Sequence, residues 1–457
     1  MSGKPYQRGE GSHRLFQTFR IDDLVPEDHL LRRIDAVLDL DFIRDRVRDT
    51  YDQESTRGRP PWDPVLLYRM MLLSFLFDLS ENRLEQEVRM HAGYRWFLGL
   101  DFDDPVPDRT TLIKARQRWG MDTFEEIFGM VVTQCAEAGL VQGENLVADG
   151  TQVRARASVR SLERQVYAYC EFLREDEENG DDDPPPNPPR RAGDPDFRGE
   201  SFRNDTHRSR TDPQALLYRK GSGQEAFLRY LAHYVIDQDT GVILGAAVSR
   251  AHGRAEREVA TVLLEELRKS PYLSERPHLY MDRGYREGSF LANLLRISYL
   301  PHVRLPGTAP EIIPRWKRGT NRLDWIRKRI QKVQLAKARN VVRSLTRGSG
   351  TSLERARVRV EHTFAEAKEW HGLRRAQGYG LQRCHWQVLM TATAQNLKRL
   401  ARGVGRRGKT GAVQAIKGVL STSCLLSMAM LRSLDHILAK DRVWLNQIAT
   451  QLVITTT

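Results

Sequence analysis

Between residues 21 and 139 the apolar positions recur at helical spacing, with a continuous run from Val65 to Phe77 and a second pattern from Glu85 to Leu98. Pro26, Pro60, Pro61, Pro64, Pro105 and Pro107 punctuate the stretch. Asp63 before Pro64, Ser80, and Asp108 after Pro107 stand where helix starts are expected. The spacing predicts a compact all-helical region over 15–139.

At Glu144 the pattern changes. Asn145 to Val153 reads as a buried strand that ends polar, with Asp149 inside it. Leu228 to Ile236 and Val242 to Val248 are strand-like runs around Asp237-Gln238-Asp239-Thr240-Gly241, a hairpin signature. Arg257 to Lys269 is helical, and Pro277 to Tyr285 is a short apolar strand running into Asp282 and a glycine turn. A helix at Gly288 to Ile297 and a strand at Tyr299 to Leu305 follow, then a basic, largely helical stretch over 311–350. Leu353 to Trp370 and Trp386 to Leu400 are the last patterned helices. Strands, a hairpin, then alternating helix and strand predict an α/β domain with a mixed sheet over 140–400. Glu175 to Pro189 reads EDEENGDDDPPPNPP, which buries too little apolar surface to order itself, so 174–205 is expected to be a disordered insertion. The tail over 401–457 carries no assignable pattern.

Composition narrows the class. The 457 residues are 40% hydrophobic and 29% charged, which is globular and too long for one ordinary domain. Lys and Arg outnumber Asp and Glu by 72 to 59, a net charge of +13 that favours a polyanionic partner. Lys114, Arg116 and Arg118 follow the Pro107-Asp108 helix start, and a basic helix after short helices suits a helix-turn-helix-like DNA reader. Arg327 and Lys328 stand within the basic stretch, with Trp316 and Trp325 available to stack on an unpaired base. The four cysteines show no metal-ligand spacing, which fits a reducing compartment. The N-terminus lacks an apolar signal core, and Gly418 to Met430 is shorter than the ~20 residues of a membrane span, so a cytoplasmic protein is expected.

Two carboxylates stand where a plain structural role is awkward. Asp149 follows Leu146-Val147-Ala148 and Asp282 follows Leu279-Tyr280-Met281, and apolar strands rarely hold an Asp that has no cation, metal or turn to meet. A third carboxylate on a nearby helix completes an oxygen-rich site for two divalent metals about 3.5–4 Å apart. Glu361 is the best candidate, because Arg357, Glu361 and Lys368 lie within about 40° of one another on one helix face. Glu354, Glu366 and Glu369 compete on the same helix.

Val147-Ala148-Asp149-Gly150-Thr151, Asp282-Arg283-Gly284-Tyr285 and the spacing of Arg357, Glu361 and Lys368 resemble the three motifs of bacterial insertion-sequence DDE transposases: V-D-G-T, D-x-G-Y and Y-x2-R-x3-E-x6-K. Glu354 stands where that family usually has its Tyr, so no role is carried over from the Tyr. FRIDDLVPEDHLLRRID, GRPPWDPVLLYRMMLL, TDPQALLYRK and the Trp370 to Arg375 and Asn396 to Leu400 runs extend the resemblance over roughly 15–400. It implies an RNase H-like catalytic domain behind a helical DNA-binding domain. It also implies Mg2+, with Mn2+ substituting, held by Asp149, Asp282 and Glu361, and phosphate contacts from Arg357 and Lys368. The implied partners are double-stranded DNA, both terminal inverted repeats and target, and a second copy of the chain in the DNA complex; the bacterial protein then sits on the nucleoid. Two other readings share these residues: a domesticated RNase H-like nuclease, and a non-catalytic DNA-binding regulator. Strand-transfer products separate the first, and the intact acids stand against the second.

Overall fold

The computed structural model describes residues 20–51, 60–164, 202–219, 225–307, 309–313 and 323–407. The expected disordered insertion therefore lies outside the described residues except for 202–205. Among the described residues, six α-helices precede the sheet: α1 (Leu30–Asp35), α2 (Phe42–Val47), α3 (Pro64–Leu76), α4 (Glu81–Met90), α5 (Ala92–Leu98) and α6 (Arg109–Glu137). The helix starts are capped as the sequence requires. Asp63 accepts a hydrogen bond from the Val65 N–H, Ser80 from Arg83 and Asp108 from Thr111. α3 is almost wholly buried, while α6 is longer than the short basic helix expected, running 29 residues through a break at Gly120, where φ is 73°.

The sheet is built from β1 (Asn145–Arg154), β4 (Leu216–Tyr218), β5 (Phe227–Asp237), β6 (Ile243–Arg250), β7 (His278–Met281) and β8 (Leu300–His302), while β2 (Leu162–Arg164) and β3 (His207–Ser209) form a separate ribbon. β5 is antiparallel to β1 and carries β6 and β4 on its far side; β7 runs parallel to β1, and β8 parallel to β7. The five long-range strands thus lie in the order β6-β5-β1-β7-β8. The β5–β6 turn is held by buried Asp237, whose carboxylate accepts from the N–H groups of Gln142, Gly143, Asp239 and Thr240, while Gly241 takes φ 77°. α7 (Ala255–Leu267) packs on β5 and β6; α8 (Gly288–Arg296) and α9 (Leu323–Thr346) flank β8; α10 (Gly350–Trp370) lies on β1 and β7.

The last helix, α11 (Leu381–Arg407), packs against β6 and also against α1, α3 and α6, so one continuous core runs from Leu31 to Ala401. Its polar residues are spent internally. Asn396 donates to the Ile243 carbonyl and accepts from its N–H, both at 2.8 Å, completing the β6 edge as a neighbouring strand does. His385 meets Glu125 of α6 at 2.9 Å inside the core. His371 is wholly buried, with Nδ1 2.6 Å from the Phe75 carbonyl.

Glu366 ties α10 to α11. Burial alone pushes its carboxyl up, but His371, Arg399 at 2.8 Å and Gln395 at 2.9 Å together outweigh that and hold it at about 2. A depressed carboxyl contributes stability that is present above its ordinary value of 4.5 and is lost as pH falls towards 2. Glu366→Gln is therefore expected to lower stability at neutral pH by about 2–3 kcal/mol and to flatten the acid limb of a denaturant-midpoint profile between those two values. An unchanged acid limb contradicts this account of the α10–α11 contact.

Candidate active site

Parallel strands present their C-terminal ends at the same edge of a sheet, and β1 and β7 share that edge. Their pairing ends at Ala148 opposite Met281, so Asp149 and Asp282 are the next residue on each strand and stand side by side. Asp149 is half-buried and accepts from the Gly150 N–H at 2.8 Å. Asp282 is exposed, caps the turn Arg283–Tyr285 and accepts from the Arg283 N–H at 2.6 Å. Beneath them the Tyr285 phenol is fully buried. Burial, then the negative charges of Asp149, Glu256 and Asp282, push it well above its ordinary value.

α10 brings the third expected carboxylate to the same strands. Ala356, Val360, Phe364 and Ala367 form its buried stripe, with Phe364 stacked on Tyr234 at 4.8 Å, and Tyr234 is the strand partner of Asp149. Glu361 projects beside that stripe and pairs with Arg357 at 2.9 Å, both more than half exposed. The Arg357 guanidinium is held above its ordinary value by the Glu361 hydrogen bond and charge, with Glu354 and Asp282 adding. Among the described residues, no three His, Cys, Asp or Glu side chains stand close enough to hold a metal ion. The two aspartates are brought together, and Glu361 lies on the adjoining helix turned to Arg357. Both side chains are open to solvent, so the pair is a weak constraint on the position of the glutamate. An all-oxygen donor set at paired strand ends fits a hard divalent cation.

Lys368, two turns along α10, donates to the Thr151 hydroxyl at 2.6 Å, which fixes the helix across the polar end of β1. The basic residues of α6 divide. Lys114 and Arg118 are exposed, Arg118 lying 4.6 Å from the Tyr51 ring centroid. Arg116 is drawn inward, paired with Glu81 at 2.7 Å and stacked over Trp386 at 4.5 Å, so its guanidinium serves the packing of α4, α6 and α11 rather than an outside ligand. Arg304 engages Glu354, the residue at the family's Tyr position, at 2.5 Å. Arg327 and Lys328 fall in α9, but their side chains, with Trp316 and Trp325, lie outside the described residues.

One carboxylate at the site went unread in the sequence. Glu256, in the first turn of α7, reaches the strand ends from the side opposite α10. A Cβ placed on Gly150 would lie 3.3 Å from its Oε1, and one on Gly284 3.5 Å from its Oε2. Gly150 and Gly284 follow Asp149 and Asp282 at one and two residues, and their lack of side chains is what admits it. Nothing in Ala255-Glu256-Arg257-Glu258 distinguishes this glutamate from an ordinary acid at a helix start.

A mixed sheet in this strand order, with helices on both faces and a helical region in front, is an RNase H-like α/β fold. The chain matches the family model described as Transposase domain (DUF772) over residues 19–118 and the one described as Transposase DDE domain over 204–397. It belongs to the DDE transposases of insertion sequences, enzymes that depend on a divalent metal and act on DNA. The second match takes in Asp282 and Glu361 but begins after Asp149. No solved structure matches the chain. None of the described helices is long and apolar enough to cross a membrane.

Lys368→Ala is expected to slow cleavage of DNA ends and to make the salt dependence of binding shallower by about one unit of slope, sequence preference staying intact. A lowered melting temperature with an unchanged slope would mean that the Thr151 contact is structural alone.

Proposed function

We propose that the chain cuts the ends of its mobile element and joins them to target DNA at a single site formed by Asp149, Asp282 and Glu361. The observation that carries this reading is the Ala148–Met281 pairing, which leaves Asp149 and Asp282 adjacent at one sheet edge. Asp149, Asp282 and Glu361 would hold the divalent metal, Mg2+ with Mn2+ as substitute. When bound there, the divalent metal supplies Lewis-acid polarisation of the scissile phosphate and charge stabilisation for the attacking and leaving oxygens. Arg357 and Lys368 position the strand by gripping phosphates on either side of Glu361. Glu256 acts as a positioning residue, its carboxylate fixing the backbone turns that aim the two aspartates.

Lys114 and Arg118, four residues apart on one face of α6, contact the element's terminal repeats, and Arg327 and Lys328 add to the chain's DNA-binding cations. Joining two ends to one target requires both to be held at once, which a homodimer accomplishes, and the DNA-bound form resides on the nucleoid.

Asp149→Asn is expected to abolish metal-dependent cleavage and strand transfer of a DNA fragment carrying the flanking inverted repeats, while end binding measured by mobility shift is retained. Cleavage persisting at the wild-type rate removes Asp149 from the site. Glu256→Gln is expected to slow cleavage without abolishing it and to leave the affinity for ends unchanged; a full loss would place Glu256 among the metal ligands instead.

A further inference from the structure

Beside the turn that carries Asp282 opens a cleft of about 910 Å³ whose walls hold six arginines. Arg254 and Arg257 come from the start of α7, Arg283 and Arg286 from the turn after β7, and Arg339 and Arg343 from α9. Among the described residues that line the cleft, two are carboxylates, Glu287 and Glu311. Both are already engaged: Glu287 with Arg257 at 2.7 Å, and Glu311 with Arg339 at 3.1 Å and Arg343 at 3.2 Å.

The remaining donors exceed what the protein offers them. Arg254, Arg283 and Arg286 are exposed and make no ion pair among the described residues. The Nε atoms of Arg339 and Arg343 are buried with no hydrogen-bond partner. Gathering like charges costs free energy, and an anion in the cleft relieves it. The first residue of α8 adds to this. Gly288 lines the cleft, and a Cβ there would meet the Arg339 guanidinium at 3.1 Å, so the glycine lets Arg339 lie across a helix N-terminus that itself favours an anion.

We propose that this cleft binds consecutive phosphodiester groups of the DNA strand next to the scissile bond. The inference rests on the transposase reading and adds to it a strand-holding subsite outside the Arg357–Glu361–Lys368 face. Arg283 directly follows Asp282, so phosphates held here belong to the nucleotides nearest the reaction. Guanidinium groups suit the task because their forked donors match phosphate oxygens two at a time. The volume falls within the roughly 300–1,000 Å³ of small-ligand pockets, which suits nucleotides of one strand rather than a duplex groove. Leu305 and Pro306 supply an apolar wall for a sugar or base.

The test uses the full chain and a duplex carrying the inverted repeats that flank the coding sequence, uncut or already cut. Arg286→Ala is the primary variant because its side chain is exposed and makes no ion pair among the described residues; Arg343→Gln, which loosens Glu311, is read only alongside a thermal melt. Arg286→Ala is expected to slow reaction about tenfold or more, the effect of one charge-assisted hydrogen bond. It is also expected to flatten the salt slope by about one unit and to become insensitive to a neutral methylphosphonate at the phosphate it holds. Slower cutting of uncut ends assigns the cleft to the element's own strand, and slowing confined to the joining of pre-cut ends assigns it to the target strand. Rates and slopes unchanged in both Arg283→Ala and Arg286→Ala, with the unaltered protein cutting normally, overturn the proposal. An unaltered protein that cuts no ends overturns instead the reading on which the proposal rests.

Discussion

The candidate site depends on where two neighbouring parallel strands stop pairing. β1 and β7 are buried together as far as Ala148 and Met281, and one residue later each chain turns polar. Because the strands are parallel, both carboxylates emerge at one edge, and because the pairing is in register they emerge level. A slip of one residue would send one of them to the other face of the sheet. β5 reinforces the register from the other side, pairing with β1 from Leu146 to Arg154, well past the point where β7 leaves. The two flanking helices then meet the edge from opposite faces, α10 over Thr151 and α7 over Gly150, as the alternation of β1 requires.

Holding that edge still requires the rest of the chain. α11 lies in one core with the sheet and with the N-terminal helices, so the region that reads as a separate helical unit shares its packing with the catalytic part. The pieces that join them are polar groups satisfied inside the core: Asn396 on the β6 edge, His385 with Glu125, and Glu366 with Arg399 and Gln395. Each costs free energy to bury and returns it only when its partner is in place, which ties helix positions to one another more tightly than apolar contact does.

Much of this was legible in the sequence because it is local. An Asp at the end of an apolar strand is conspicuous, and so are a turn signal between two strand runs and an Asp or Ser at a helix start; the structure has a strand, hairpin or cap at each. The face of α10 followed from spacing alone. Spacing also contained the correction on α6: Lys114 and Arg118 are four residues apart and share a face, while Arg116 between them points about 160° away from each, here into the contact with Glu81 and Trp386. Glu256 and the arginine cleft were not legible in that way. The first depends on two glycines lacking side chains, one on β1 and one in the turn after β7, the second on three segments separated in sequence, and no local pattern records either.

The arrangement of charge on α10 bears on how metal and DNA arrive together. Glu361 and Arg357 satisfy each other on an exposed helix face, and a pair of that kind contributes little to stability. A carboxylate drawn towards a metal at the aspartates leaves Arg357 with an unpaired charge, and a phosphate beside the scissile bond is the natural replacement. The converse would hold too, since a phosphate engaging Arg357 would free Glu361 from its ion pair. On the proposed assignment, metal and strand binding would be positively coupled through this pair, and by linkage the coupling would be the same whichever bound first. A strong buried pair at this position would hold Glu361 away from the aspartates; the weak one keeps both partners near the site at little cost.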